Sequence, residues 1–401
     1  MSGPIEAIKV LDMSRVLAGP WAGQLLGDYG ADVIKIERPL VGDDTRHWGP
    51  PWLGKESEAA YFLAANRNKR SVTVDISTED GAGVIRDLAR DADVLLENFR
   101  VGTLQRYGLD SESLAAVNPK LIYCSITAYG QHGSRAHEPG YDAMIQASAG
   151  LMSITGAPDN EGGSPQKVGV AISDIMAGMY ATTAILAALR ERDQTGRGQT
   201  IDVPLYDSQV AWLANQAMNF LVGGIHPERR GTAHPNLVPY QTFASSDGYI
   251  TLAVGNDRQF AACASCIGKP RLAEDPRFGR NSDRVENREA LVQILREVFL
   301  TRTTSSWLQE LSAAGVPAGP VNSVADVLTD AYAAERGLVR TMRHDLDAEL
   351  PTVANPVGFS RTPVCYGSAP PTLGQHTNEV LKEWLSYSDE KIESLKAAGA
   401  I

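Results

Sequence analysis

VLDMSRVLAGPWAGQLLGDYGADVIKIERP, residues Val10 to Pro39, is the stretch from which the fold is read. Apolar Ile8 to Leu11 reads as a buried strand. Gly19-Pro20 opens a helix running to about Tyr29, and the β-branched segment Val33 to Ile36 reads as a second strand. The result is a βαβ unit. Gly19, Gly23, Gly27 and Gly30, with Glu37 ending the second strand and Arg38 after it, invite an NADP-dependent oxidoreductase reading. The spacing opposes it, because the dinucleotide fingerprint is G-x-G-x-x-G and this chain offers G-P-W-A-G. Close helix packing accounts for the glycines equally well.

The same alternation continues outward. Short apolar strands are expected at Ser71 to Asp75, Asp93 to Leu96 and Leu121 to Ile126, with helices between them such as Glu79 to Arg90. This implies an α/β fold with a parallel sheet covered on both faces, whose ligands gather at the carboxyl ends of the strands. A long alanine-rich helix is expected from Asp174 to Arg192, closed by Thr195-Gly196-Arg197-Gly198, and a second from Leu205 to Leu221. Gly223 to Pro239 is dense in Gly, Pro, His and Asn and reads as a linker. After it come a strand, Tyr249 to Val254, and helices near Gln259 to Cys266, Arg288 to Phe299 and Ser305 to Ala314. Prolines 351, 356, 363, 370 and 371 punctuate a loop-rich run before terminal helices at Thr377 to Ser386 and Asp389 to Ala398. The expected domains are 1–222, a smaller α/β domain over 223–325, and a segment 326–401 returning to the first.

Composition bounds the function. A chain of 401 residues, 43% apolar and 21% charged, has the balance of a globular enzyme with room for two domains. A net charge of −11 argues against nucleic acid as a partner. Four cysteines in so long a chain do not make a disulfide framework. With no signal-like start and no apolar run read as membrane-spanning, a cytoplasmic protein without a membrane partner is expected. Cys263-Ala-Ser-Cys266 lacks a second pair and lies in a helical pattern, and the seven histidines form no metal-binding motif, so no metal is expected. No G-x-S-x-G elbow or phosphate-binding G-x-x-x-x-G-K-[ST] loop occurs.

Arg38, Lys69 with Arg70, and Arg106 follow expected strands or helices, where guanidinium groups suit a phosphorylated ligand. Solvated surface charge is the plainer reading of each. Asp174 stands at the start of the long helix, where an acid commonly caps the first turn. The same position suits a nucleophile kept ionised by the helix.

The segments VLDMSRVLAGPWAGQLLGDYGADVIKIERP, NRNKRSVTVD, VLLENFRVGTL, GYDAMIQASAGLMSITG, GVAISDIMAGMYA and TGRGQTIDV together resemble the class III CoA-transferases, the formyl-CoA and carnitine-CoA transferase group. The resemblance spans nearly the whole chain. GDDTRHWGPP, GTAHPNLVPYQTF, DGYITLAVGNDRQF and LGQHT are most similar to the branch that moves CoA from succinyl-CoA to glutarate, a short dicarboxylate. The resemblance implies a Rossmann-like large domain, a smaller α/β domain and an interlocked homodimer. It implies acyl-CoA and a carboxylic acid as substrates and no tightly bound cofactor.

Position by position, the resemblance places the catalytic aspartate on Asp174. It places CoA contacts on Leu17, Ala18, Arg38, Val74, Asp75, Ile76, Ser77, Asn98, Phe99, Arg100, Arg106, Tyr141 and Asp142. A glycine-rich flap falls near Gly255-Asn256, where this chain has G-N-D-R in place of a run of glycines. Formyl-transferring members carry glutamine at the position of Leu17, which points to another acid. Another acceptor within the family, of the carnitine, oxalate or formyl, itaconate or citramalate type, stands as an alternative, as do the racemase branch, which has histidine where this chain has Tyr141, and a non-catalytic CoA-binding protein. Arg46 and His234 are candidates for the acceptor's second carboxylate.

Overall fold

The computed structural model describes residues 3–54, 58–346 and 348–401. Strand β1 (Lys9–Asp12) leads into helix α1 (Ala18–Asp28) and back to the parallel strand β2 (Asp32–Glu37), which is the expected βαβ unit. The glycines of α1 serve close approach: a Cβ on Gly23 would sit 2.6 Å from the buried Asp12 carboxylate. Strands β3 (Lys69–Thr73), β4 (Val94–Glu97), β5 (Ile122–Thr127) and β6 (Thr200–Pro204) complete an all-parallel sheet of order β3-β2-β1-β4-β5-β6. This is the doubly wound order whose direction of growth reverses between β1 and β4, opening a crevice there. Strand β6 was not foreseen, because Thr200–Pro204 is only half-buried and lacks a continuous apolar run.

Helices cover both faces. Thr78 caps α2 (Glu79–Asp91) by accepting from the Gly81 N–H, and its buried face of Ala82, Ile85, Leu88 and Ala89 packs on one side of the sheet. The chain's end returns to this layer. Val380, Leu381 and Trp384 of α11 (Thr377–Leu385) and Ile392 and Leu395 of α12 (Asp389–Ala397) join the same apolar cluster. Ser71 O accepts from the His376 N–H, and Ala400 O from Asp75 N–H.

On the other face α1 packs against α5 (Ile172–Thr195), the long alanine-rich helix, which is preceded by α3 (Ser111–Val117) and α4 (Asp142–Ser148). A Cβ on Gly178 would meet Ala18 O at 2.6 Å, so the two helices approach backbone to backbone. Contrary to expectation, α5 is long and apolar enough, by length and composition, to cross a membrane. Here it is a packed helix, with Ala177, Ala181, Ile185 and Leu189 in the core.

The single helix expected from Leu205 to Leu221 is two, α6 (Leu205–Ala211) and α7 (Ala214–Gly223), with Ala214 in the left-handed region at φ 49°. The chain divides there. One unit comprises 1–150, 168–213 and 331–401, and the other 151–167 and 214–330. The expected boundaries at 222/223 and 325/326 therefore move to 213/214 and 330/331, and 151–167 leaves the first domain for the second.

The second unit contains an antiparallel sheet, β9-β8-β7, of β7 (Tyr240–Ala244), β8 (Tyr249–Ala253) and β9 (Ala318–Pro320). Helices α8 (Asp257–Cys266), α9 (Arg288–Phe299) and α10 (Thr304–Ala313) close its core. Phe243 stacks on Phe299 at 5.1 Å and Phe299 meets Trp307 edge-on at 5.2 Å. In the first unit the run expected to be loop-rich holds a hairpin, Val339–His344 with Ala348–Val353, in which Pro351 pairs with Thr341.

Candidate active site

Two clefts occupy the carboxyl ends of the parallel strands. The first, about 200 Å³, is lined by Leu17 and Ala18 after β1, Asn98, Phe99 and Arg100 after β4, Thr127 and Ala128 at the end of β5, Leu205 after β6, and Tyr141 and Asp174. The second, about 400 Å³, is lined by Arg38 after β2 and Val74, Asp75, Ile76 and Ser77 after β3. Arg15, Asp44 and Phe99 belong to both, so the clefts are neighbours across one wall at the crevice between β1 and β4.

The loop after β1 is held under strain. Val16 has φ 71°, a conformation costly for a β-branched residue. Its N–H donates to both Asp43 carboxylate oxygens at 3.2 Å. On one side the Arg15 N–H donates to Asn98 Oδ1 (2.9 Å), and Asn98 Nδ2 donates to Arg15 O (2.7 Å). Asn98 thus ties the end of β4 to the end of β1. The opening N–H groups of α1 have no intrahelical partners and, among the described residues, no side-chain cap, beside Leu17 and Ala18 in the cleft wall.

Glu97, buried at the end of β4, accepts from the Phe99 N–H (2.8 Å) and the Ser125 hydroxyl. Burial raises its pKa to about 7. A buried ion-pair network lies alongside. Asp12 accepts from Lys69 Nζ at 2.8 Å, and Asp43 from Lys35 Nζ at 2.9 Å. Glu37 takes Arg46 Nε and Nη2 at 2.8 and 2.7 Å, while Glu58 takes Arg46 Nη1. Burial opposes ionisation at Asp43, yet Lys35 and Thr45 hold its pKa down at about 2.

Among the described residues, Asp174 has no such partner. It is the third residue of α5, not its cap; the N-cap position is Ala171, which contributes no side-chain bond. Burial first, and then the charge of Asp142, raise the Asp174 pKa to about 7. The expectation that the helix start alone keeps it ionised is therefore corrected. Asp142 takes the helix N–H instead, accepting from Ser173 N–H at 2.8 Å, and it also accepts from Gln146 Nε2 at 2.7 Å. A partly buried carboxylate facing a cleft with no cation bonded to it is a reactive arrangement, because ionisation there leaves an under-solvated nucleophile.

A family model described as CoA-transferase family III matches residues 5–377. The chain belongs to this family. It is 44% identical over 398 residues to succinyl-CoA:glutarate CoA-transferase of Mus musculus, covering 99% of this chain and 90% of that protein. It is 46% identical over 388 residues to succinate–glutarate CoA-transferase of Agrobacterium fabrum, covering 95% of each. A crystal structure of a CAIB/BAIF family protein from Brucella suis shares 47% identity and the fold, with a TM-score of 0.84 over 96% of this chain and 100% of that one. The protein is an enzyme that transfers CoA.

Of the residues the sequence marked for the CoA-transferase site, the structure brings Leu17, Ala18, Asn98, Phe99, Arg100, Tyr141 and Asp174 to the first cleft. It brings Arg38, Val74, Asp75, Ile76 and Ser77 to the second. Arg106 is exposed and lines neither, although Thr103 and Tyr107 beside it line the second. Asp142 is buried and bonded to Ser173 and Gln146, which makes its side chain a support for the helix start.

Arg46 is corrected: it is buried, with Glu37, Glu58 and Pro371 O taking its N–H groups, and it is not free for an acceptor carboxylate. Gly255, Asn256 and His234 belong to the second unit. At the expected flap, the Gly255 N–H donates to Gln259 Oε1 at 2.8 Å, and Asn256 caps α8. His234 Nδ1 accepts from Asn236 N–H at 3.0 Å. Sequence reasoning missed Arg15, Asp44, His137 and Glu138 in the first cleft. Their signal was position alone, since the loops after β1, β2 and β5 had to border any ligand at the crevice. Among the described residues no group of three or more metal-ligating side chains converges.

Proposed function

We propose that this CoA-transferase moves CoA from succinyl-CoA to glutarate or a similar short dicarboxylate, with Asp174 as the covalent carrier. The observation that carries the mechanism is Asp174 itself, half-buried in the cleft without a cation and with its proton affinity raised. The substrate reading rests on the relatives' names and on the second carboxylate that such acids share.

An Asp174 oxygen attacks the thioester carbonyl, the C–S bond breaks, and CoA leaves as thiolate from an aspartyl-acyl anhydride. The thiolate attacks the aspartyl carbonyl, releasing the donor acid and leaving an aspartyl-CoA thioester. The acceptor carboxylate attacks that thioester, and the freed thiolate then takes the acceptor's acyl carbon. New acyl-CoA forms and the Asp174 carboxylate is restored. The opening N–H groups of α1 suit the oxyanions of these steps. The second cleft, with Arg38 at its edge, suits the phosphorylated end of CoA, and the first suits its thiol arm.

Asp174→Asn is expected to lower kcat by roughly a thousandfold or more, since a covalent path is lost outright. CoA binding, measured by calorimetry, should change little. Hydroxylamine treatment during turnover should yield a hydroxamate on the peptide containing Asp174. Turnover of Asp174→Asn near the wild-type rate, or a hydroxamate on another peptide, contradicts the mechanism. Inert glutarate and other short dicarboxylates in a screen with succinyl-CoA contradict the substrate class alone.

A further inference from the structure

The second unit holds a cleft of about 970 Å³ that the transfer mechanism does not use. Four arginines line it, Arg229 and Arg230 ahead of β7 and Arg288 and Arg296 from α9. Three have carboxylate partners: Arg229 meets Asp159, Arg230 lies 3.7 Å from Glu228, and Arg296 lies 3.5 Å from Glu161.

Arg288 has no carboxylate partner among the described residues. Its Nη2 donates to the backbone carbonyls of His234 and Pro235 at 2.8 and 2.9 Å, which fixes the guanidinium in place. Among the described residues its Nη1 is buried with no acceptor, and Nε of Arg229 is in the same condition. Buried donors are nearly always satisfied, so two orphans on arginines that line one cleft mark where an acceptor from outside the chain would complete them after a small side-chain shift. Burial, then the charge of Arg230, lower the Arg288 pKa, and the charge of an anion at this place would act against that lowering.

We propose that this cleft binds a small organic carboxylate, with Arg288 Nη1 donating to the carboxylate and Arg229 Nε as a second donor to the same ligand. A guanidinium fork matches a planar carboxylate better than it matches a neutral acceptor. Thr232, Thr242, Tyr249 and Gln293 supply hydroxyl and amide groups for the rest of the molecule. The volume lies within the range of small-molecule sites, roughly 300–1,000 Å³.

Hydrogen–deuterium exchange of the full chain, titrated with succinate, glutarate or inorganic phosphate, tests this. The expected result is slowed exchange in residues 228–244 and 288–296 with the carboxylates, in wild type and in Asp174→Asn alike. Arg288→Gln should weaken this binding about tenfold, the equivalent of one charged hydrogen bond. Arg230→Gln, which leaves the His234 and Pro235 contacts untouched, should weaken it by about threefold through lost charge alone. The Arg230 variant keeps the test valid if Arg288→Gln fails to fold. No slowing in these segments with either carboxylate overturns the proposal. So does slowing by phosphate alone, or slowing that neither arginine variant weakens.

Discussion

Asp43 and Asp174 lie at the same end of the same sheet, and their surroundings treat them oppositely. Lys35 bonds Asp43 at 2.9 Å and holds it near 2 against the effect of burial. Burial and the neighbouring Asp142 raise Asp174 to about 7. The first arrangement fixes a loop, because Asp43 also anchors the strained Val16 N–H. The second leaves a carboxylate without a counter-charge, as the proposed carrier role asks. A buried acid with its own cation is part of the frame, and one without a cation, at a cleft, is where chemistry is to be sought.

The largest structural consequence should follow from breaking the framed side. Arg46→Met leaves Glu37 and Glu58 buried without their cation, and this is expected to cost about 3–5 kcal/mol. A shift in the denaturant midpoint reads it directly. If Arg46 instead served an acceptor carboxylate, stability would hold and only transfer would suffer.

The unframed side should respond in the reverse direction. Asp174 has an ordinary pKa of 3.8 and a folded value of about 7. Between these, the unfolded chain has released a proton that the folded protein retains, so stability falls as pH rises through this window. Asp174→Asn removes that slope. It should match wild type near about pH 4 and be the more stable of the two near about pH 8, while being inactive. Equal stability across the range would mean that Asp174 is not a destabilised group. Asp43 behaves oppositely, since its depressed pKa supports stability above 3.8 and loses it as pH falls toward about 2.

Much of this frame was legible in the sequence. The βαβ unit showed itself through an apolar run, a glycine-proline helix start and a β-branched run, all local signals. Arg288–Phe299 emerged with its termini because its apolar spacing follows the helical period. What stayed hidden depends on partners distant in the chain. Nothing near Arg46 announces that Pro371 would accept from it, 325 positions away. Nothing near Asp142 shows that it would take the Ser173 N–H and leave Asp174 without one. The sequence could place acids at helix starts, but which of two acids the helix serves is decided by packing.

A smaller effect is expected from the link between the two clefts. Asn98→Ala removes both bonds to the Arg15 backbone, worth about 0.5–1.5 kcal/mol each. The loop carrying Arg15 and Val16 would lose its anchor on β4 but keep Asp43. KM for acyl-CoA should rise by about fivefold to tenfold with kcat less affected. An unchanged KM would show that Asp43 alone holds the loop.

The smallest and most specific change tests the pairing of Asp142 with Asp174. Asp142→Asn removes the like charge but keeps an oxygen for the Ser173 N–H, so the start of α5 should survive. Burial is the larger cause of the raised Asp174 pKa and persists in the variant. The acid limb of the kcat/KM profile, which follows the free enzyme, should therefore move down by less than half the interval between about 7 and 3.8. A limb that does not move would assign the whole displacement to burial. A limb that falls to the ordinary carboxylate range would show that the second acid, rather than the dry cleft, keeps the Asp174 proton in place.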